Sequence, residues 1–440
     1  MSTVGLLLVL WYTYFYGRWA APSIADRRVS QILLLIYLLS RSLNLQIRTD
    51  LNALVAQGLT AQNRIQVVVV LCASAWAAYL LFRSRVAVKS LLGGPGFWIS
   101  SSIVVFALTV VWSVWPDLTL YRAMEMAAIW IICVHVFAHR DWFSQAHFFF
   151  WSVLGMHLIN GLVSLSMRGP SHDGIVGVIR SNGGSALAAA LVVWSLHCAK
   201  QKGWSQTWWM LPIATGSLVV FGSLTSSFAL LGGLAIYWFY TIPKSTKPVL
   251  GFGFATVALV LVSLAYFNTG DLSGAATSGI QFVSTIFDKS PEALRSATGR
   301  VQLWTAMWEA SKDNPLGFGF AAAERVFSAD RTLVGWAPGP GGAHNGYLSG
   351  LFGSGWLGAS FVLLVFISMW LRIRQTDNHL VPLTMALLFI MAFNNLSLPM
   401  FGGAIAPVTI IILVLALVPP NMTSVYRRRQ GGSVANFANP

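Results

Sequence analysis

Apolar stretches of about twenty residues recur along the whole chain and constrain its fold more than any other feature. A helix needs about 20 predominantly apolar residues to cross the hydrocarbon core of a bilayer. Thirteen stretches approach that length, near residues 3–17, 31–47, 65–83, 96–115, 119–138, 146–167, 184–199, 207–224, 227–243, 248–267, 347–371, 381–397 and 403–419. Because several are short or crowded, the pattern predicts an all-α polytopic membrane protein with about 11–13 transmembrane helices.

The composition excludes the main alternatives. Only 10% of the 440 residues are charged and 56% are hydrophobic, whereas a soluble domain carries about 25% charged residues. The net charge of +14 does not indicate nucleic-acid binding, because the basic residues are scattered between apolar stretches instead of clustered on one face. The three cysteines lie in or beside apolar stretches without metal or disulfide spacing, which is typical of small buried residues.

The loops between the stretches predict the topology. One connection, 268–346, is far longer than the others. Among the short loops, one set holds 16 Lys and Arg residues and the opposite set holds 5, so the first set is predicted to be cytoplasmic and the long loop external. We therefore expect an N-terminal bundle (1–267), a periplasmic loop with helices (268–346), C-terminal transmembrane helices (347–419) and a cytoplasmic tail (420–440). The first apolar stretch lacks a basic segment before it and a cleavage site, so we expect it to be retained.

Within the long loop, residues 296–320 have the pattern of a helix that carries an arginine in its first turn. The apolar residues have helical spacing, and Asn314-Pro315 would end the helix. Arg300 then lies where the helix N-terminus is already partly positive. Together with the free N–H groups of that turn it would suit an anion such as phosphate. A solvated arginine, or one paired with Asp or Glu, is the alternative.

His344 stands where the glycine-rich end of the loop changes into an apolar stretch. An imidazole with a pKa near 6.5 can accept a proton at neutral pH. A single histidine is more often a hydrogen-bonded structural residue, but small residues around this one would let a ligand approach.

A second external loop carries Arg180 and Asn182 just before a small-residue helix. This is a second candidate anion site; a juxtamembrane arginine at the headgroup level is the alternative.

Polar residues within the apolar stretches concentrate on the side of the long loop. Arg122 and Glu125, at i,i+3, can pair on one helix face, and Arg41 also lies in an apolar run. Such residues mark functional sites or hold helices together. We favour the second interpretation for the cluster of Ser223, Thr225 and their neighbours, and leave both open for Arg122.

The segment "TGRVQLWTAMWEASKDNPLGFGF" and, after a spacer, "AHNGYLSGLFGSGWLG" resemble the signature region of the O-antigen ligase and Wzy-type polymerase superfamily. That pattern consists of a T/S-G-R-x-x-x-W helix, a Gly-x-Gly turn and an H-N-x-(Y/F)-L start of a span. The close match covers roughly residues 296–358.

The resemblance implies a GT-C-like, metal-independent, inverting glycosyltransferase without a cofactor. Its donor would be a glycan on undecaprenyl diphosphate and its acceptor a glycan or lipid-linked hydroxyl. His344 would activate the acceptor and Arg300 would bind the diphosphate. Substrate-binding residues would be Arg180, Asn182, Asn345, Arg122 and Tyr347.

The resemblance also implies the inner membrane, a site facing the periplasm, and flippase and chain-length-regulator partners. Phe228 stands where ligases often carry an arginine, and "AHNGYL" is more typical of exopolysaccharide polymerases, so we favour a polymerase. A ligase that transfers the glycan to lipid A core or another acceptor is the alternative. A transporter is a third hypothesis, but the chain shows no paired halves.

Overall fold

The computed structural model describes residues 24–42, 61–83, 85–139, 141–168, 181–242, 300–322, 344–376, 379–403 and 405–419. All regular secondary structure in these ranges is helical. The helices are α1 (Ile24–Ser42), α2 (Ala61–Arg83), α3 (Arg85–Leu91), α4 (Pro95–Leu108), α5 (Pro116–Phe137), α6 (Trp142–Arg168), α7 (Asn182–Lys202), α8 (Trp204–Thr207), α9 (Met210–Phe221), α10 (Leu224–Thr241), α11 (Arg300–Asp313), α12 (Gly346–Ile373), α13 (Val381–Asn394) and α14 (Thr409–Ala416).

The prediction of an all-α polytopic membrane protein is confirmed. Within the described residues, five helices have the length and hydropathy of a membrane span: Arg64–Arg83, Pro116–Phe137, Trp142–Val163, Leu224–Thr241 and Gly346–Ile373. Three shorter apolar helices cover Pro95–Val111, Met210–Phe221 and Val381–Asn394. The stretches predicted near 3–17 and 248–267 lie outside the described residues.

Small residues bring the central helices together. The middle of α7 is buried along an Ala-rich run, and α10 packs closely on α13 at two adjacent glycines. A Cβ at Gly232 would lie 2.3 Å from the ring of Phe389, and one at Gly233 would lie 2.6 Å from Ile390. Helices in a membrane associate through such close contacts, because lipid tails compete for apolar surface.

Polar contacts mark the two ends of the bundle. At one end Arg27 pairs with Asp141 at 2.6 Å, and Asp26 pairs with Arg83 at 3.4 Å. The start of α1, the end of α2 and the turn before α6 therefore lie together. We call this the basic end. The end of α1, the start of α2 and the start of α5 lie opposite, where α12 also begins; we call this the site end.

Candidate active site

The structure describes helix α11 from Arg300 to Asp313, and its end before Asn314-Pro315 is as the sequence predicts; the predicted N-cap, Thr298, lies outside the described residues. Asn314 and Pro315 follow it directly, and Asn314 Nδ2 donates to the Gly317 carbonyl oxygen at 3.0 Å, which closes the turn. The structure describes the position of Arg300 in the helix but not its side chain. Its predicted diphosphate role stays a prediction.

Helix α11 packs on the first part of α12. Leu303 and Met307 form an apolar cluster with Phe352. In the turn after α11, Phe318 N donates to the Phe352 carbonyl oxygen at 2.8 Å, and Trp356 N donates to the Pro315 carbonyl oxygen at 3.2 Å. The helix and the turn that follows it therefore contact the same short segment of α12, residues 352–356.

Four glycines allow the turn after α11 to pack closely against a kink in α12. We call Gly317, Gly319, Gly353 and Gly355 the glycine interlock. Gly319 N donates to the Gly353 carbonyl oxygen at 2.8 Å. Gly355 has φ +64°, and a Cβ there would lie 2.0 Å from Pro315 O. A Cβ at Gly317, with φ +78°, would lie 2.5 Å from Gly355 N. Only glycine allows such an approach at these φ values.

The same turn is bonded to the corner between α4 and α5. Phe320 N donates to Thr109 Oγ1 at 2.9 Å, and Thr119 Oγ1 donates to the Phe320 carbonyl oxygen at 3.0 Å. The Phe320 ring stacks on Phe106 with centroids 4.2 Å apart. The turn thus holds α11 and α12 against the N-terminal half of the bundle.

His344 immediately precedes the cap of α12. It is half-buried and has φ +46°, a conformation that is uncommon for residues other than glycine. Asn345 is the N-cap: its Oδ1 accepts from Tyr347 N at 3.0 Å and from Leu348 N at 3.1 Å. The Tyr347 hydroxyl donates to the Ala392 carbonyl oxygen at 3.1 Å. Asn345 and Tyr347, predicted to bind substrate, therefore also hold the start of α12 in place.

The loop after α13 fixes the first residue of α12. Gly346 N donates to the Asn395 carbonyl oxygen at 2.7 Å, and a Cβ at Gly346 would lie 2.1 Å from Asn395 Oδ1. The same Oδ1 accepts from Phe401 N at 2.9 Å. Ser226 Oγ donates to Asn394 Oδ1 at 2.8 Å, as expected of polar residues that hold helices together.

Arg122 belongs to a buried cluster between α1, α2 and α5. Glu125 has no exposed side-chain surface and pairs with both Arg122, at 2.9 Å, and Arg41. It also accepts from the Tyr37 hydroxyl at 3.0 Å. Arg41 Nη1 donates to Gln66 Oε1 at 3.2 Å. The predicted Arg122–Glu125 pair is thus present, and one carboxylate orients two guanidinium groups.

The start of α7 has a different cap. Ser181 Oγ accepts from Gly184 N at 3.0 Å. Asn182, predicted to bind substrate, is the first helical residue and is half-buried. Arg180 lies outside the described residues, so its substrate role stays a prediction.

The structure brings the turn after α11 and the first part of α12 to the site end. It places Arg122 one turn beyond Thr119, which contacts the turn after α11. Contacts in two steps link the starts of α12 and α7. Asn394, at the end of α13, accepts from Ser226 in α10, and the ring of Phe221, at the end of α9, faces Gly184 in α7.

Sequence reasoning missed three members of the arginine cluster as site residues. Arg41 was identified only as polar in an apolar run, and Tyr37 and Gln66 were not identified. The signal was present in Arg41 itself, because a charge in a span needs a buried partner. That partner, Glu125, is 84 residues away in sequence.

Among the described residues, no group of three His, Cys, Asp or Glu side chains is arranged to hold a metal ion. The metal-independent reaction and the absence of a cofactor stay predictions.

Comparison with known families matches residues 210–363 to the family described as O-Antigen ligase. A search of curated proteins finds no significant match. The matched segment runs from the start of α9 into α12, so it contains the glycine interlock and His344. This agrees with the resemblance seen in the sequence. Residues 210–363 of this multi-pass membrane protein are therefore similar to the O-antigen ligase family.

Proposed function

We propose that the protein polymerises undecaprenyl-diphosphate-linked oligosaccharide repeat units at the periplasmic face of the inner membrane. The observation that carries this proposal is the packing of α11 and the turn after it on the first part of α12. It brings the helix that contains Arg300 against the helix that starts just after His344.

In the proposed reaction His344 accepts the proton of the acceptor hydroxyl. The hydroxyl oxygen forms a bond to the anomeric carbon of the donor sugar, and the bond between that carbon and the diphosphate oxygen breaks with inversion. Undecaprenyl diphosphate leaves with the bonding electron pair. A positioned base contributes about 10²–10⁴-fold to such a step.

The leaving diphosphate needs positive charge in a water-poor site. Arg300 supplies it in our proposal, and Arg180 and Arg122 bind further anionic groups of the substrates. Fixed guanidinium groups stabilise developing negative charge more than mobile ones, since they need no reorganisation. The two hydrogen-bonded arginines around Glu125 support this role for Arg122. Asn182, Asn345 and Tyr347 would contact the glycan or its carrier.

A ligase is the second candidate function, which the description of the matched family favours. It would use the same donor and the same two helices, with lipid A core or another molecule as the acceptor. A flippase that delivers the donor, and a chain-length regulator, would be partners of either enzyme.

Deletion of the gene separates the two functions. We expect the polysaccharides of the deletion strain, run on a gel, to carry single repeat units because polymerisation is lost. Full-length chains that stay on the lipid carrier would contradict the polymerase and identify a ligase. An unchanged polysaccharide profile would contradict both.

A further inference from the structure

His157, in the half of α6 near the site end, is a buried histidine that none of the roles above uses. His157 is 9% exposed, and among the residues that the structure describes its Nε2 has no hydrogen-bond partner. A buried polar atom without a partner is destabilising, so its presence here points to a group that binds it.

The imidazole edge of His157 faces the first turn of α7. A Cβ built on Gly183 would lie 3.8 Å from His157 Cε1 and 4.0 Å from its Nε2. Phe221 forms one wall, with its ring centroid 6.1 Å from that of His157, and Val408 lies 3.9 Å from the same Cβ position. Four separate segments therefore surround the space between His157 and this turn.

The backbone donors of that turn are available. Ser181 Oγ accepts from Gly184 N, and Ser185 N donates to the Ser181 carbonyl oxygen. Within the described residues, the N–H groups of Asn182 and Gly183 have no bonded acceptor. Free N–H groups at the start of a long helix, aligned with its dipole, attract anions.

We propose that the first turn of α7 and His157 form a phosphate-binding subsite. Asn182 N and Gly183 N donate to phosphate oxygens, and Nε2 of His157 donates to another. Glycine at position 183 puts no side chain between the first turn of α7 and the imidazole edge. If the proposed function holds, the phosphate belongs to the diphosphate of a lipid-linked substrate; a phospholipid headgroup offers the same chemistry.

Gly183→Ala tests the subsite with little structural risk. The added methyl group meets its neighbours at ordinary contact distances, and alanine favours a helix over glycine, so the melting temperature should not fall. The methyl group fills the space in front of Nε2. We expect the full-length protein in phosphatidylcholine nanodiscs to bind inorganic pyrophosphate and undecaprenyl diphosphate about tenfold more weakly, the loss expected for one charge-assisted hydrogen bond. Gly155→Ala, at a site with nothing within 4 Å, is the matched control and should bind as wild type does.

His157→Phe and His157→Gln form the second pair. Phenylalanine keeps a ring against Phe221 but removes the donor, so we expect a similar loss of affinity. Glutamine keeps an N–H donor and should retain most of the affinity, which a purely structural role for the ring would not explain. Wild-type affinities for both probes in Gly183→Ala and His157→Phe would overturn the proposal.

Two further measurements identify the source of the phosphate and test the proposed function separately from the subsite. A loss in these variants that appears only with nanodiscs containing phosphatidylglycerol, and not with undecaprenyl diphosphate, would support the subsite and assign it to a headgroup. Glycan transfer by the same preparations reports separately on the proposed function. If the protein transfers no glycan but the variants bind the probes more weakly, the subsite is supported and the proposed function is contradicted. If the protein transfers glycan and the variants bind as wild type does, the proposed function is supported and the subsite is contradicted.

Discussion

Helices α7 and α12 both begin at the site end, but their first turns use their N–H groups differently. In α12 the side chain of Asn345 accepts from two of them and Asn395 accepts from Gly346 N. In α7 the side chain of Ser181 accepts from one, and the N–H groups of Asn182 and Gly183 have no bonded acceptor among the described residues. A fully bonded first turn has no donors left for an anion. The start of α12 is therefore suited to position His344, and the start of α7 to bind a ligand.

The largest expected effect follows from replacing His344 by asparagine. Asparagine tolerates a positive φ, so the backbone before the cap is retained while the base is lost. We expect glycan transfer, measured with a defined lipid-linked donor, to fall by about 10²–10⁴-fold with little change in melting temperature. Full activity in a folded His344→Asn protein would show that the start of α12 has no catalytic role.

The next effect contrasts Gly346→Ala with Gly183→Ala. At Gly346 a methyl group would lie 2.1 Å from Asn395 Oδ1 and 2.4 Å from the Phe401 carbonyl oxygen, so the loop after α13 must move. Overpacking of this kind costs about 1–3 kcal/mol. We expect the melting temperature in detergent to fall for Gly346→Ala and to stay unchanged for Gly183→Ala. Equal melting temperatures would mean that the two first turns are equally open.

Removal of the two caps gives a smaller effect. Asn345→Ala and Ser181→Ala each lose a side-chain acceptor, which costs about 0.5–2 kcal/mol. Because Asn345 Oδ1 accepts two N–H groups and Ser181 Oγ accepts one, we expect the larger drop in melting temperature for Asn345→Ala. The reverse order would contradict the assignment of bonded and free donors.

The smallest effect is expected at the basic end, away from both helix starts. Burial acts to raise the pKa of Asp141, but the hydrogen bond and charge of Arg27 outweigh it and hold this pKa below its usual value. The pair then contributes stability above the pKa of the unfolded chain and loses it as pH falls through the folded pKa.

Because the Asp141 side chain is 42% exposed, Asp141→Asn should cost about 0.2–1 kcal/mol at neutral pH. Glycan transfer should be unchanged. A melting-temperature difference from wild type that persists once the pH has fallen below the folded pKa of Asp141 would show that the pair is not its cause.

Sequence patterns predicted the parts of the site that are formed by residues close together in the chain. The end of α11 follows from Asn314-Pro315, and the Arg122–Glu125 pair follows from its i,i+3 spacing. Contacts between distant segments were not predictable in this way. Arg41 reaches Glu125 across 84 residues, and Gly355, at the kink of α12, lies against Pro315. The start of α12 was identified from sequence, but the bonds that fix it come from Asn395 on the following loop.

The glycine interlock has a consequence for how this part of the molecule can vary. The hydrogen bond from Gly319 N to the Gly353 carbonyl oxygen joins main-chain atoms, so it keeps its donor and acceptor whatever side chains the neighbouring residues carry. At the four glycines themselves an added Cβ would lie 2.0–3.1 Å from a neighbour. Substitution is therefore expected to be tolerated beside the interlock and not within it.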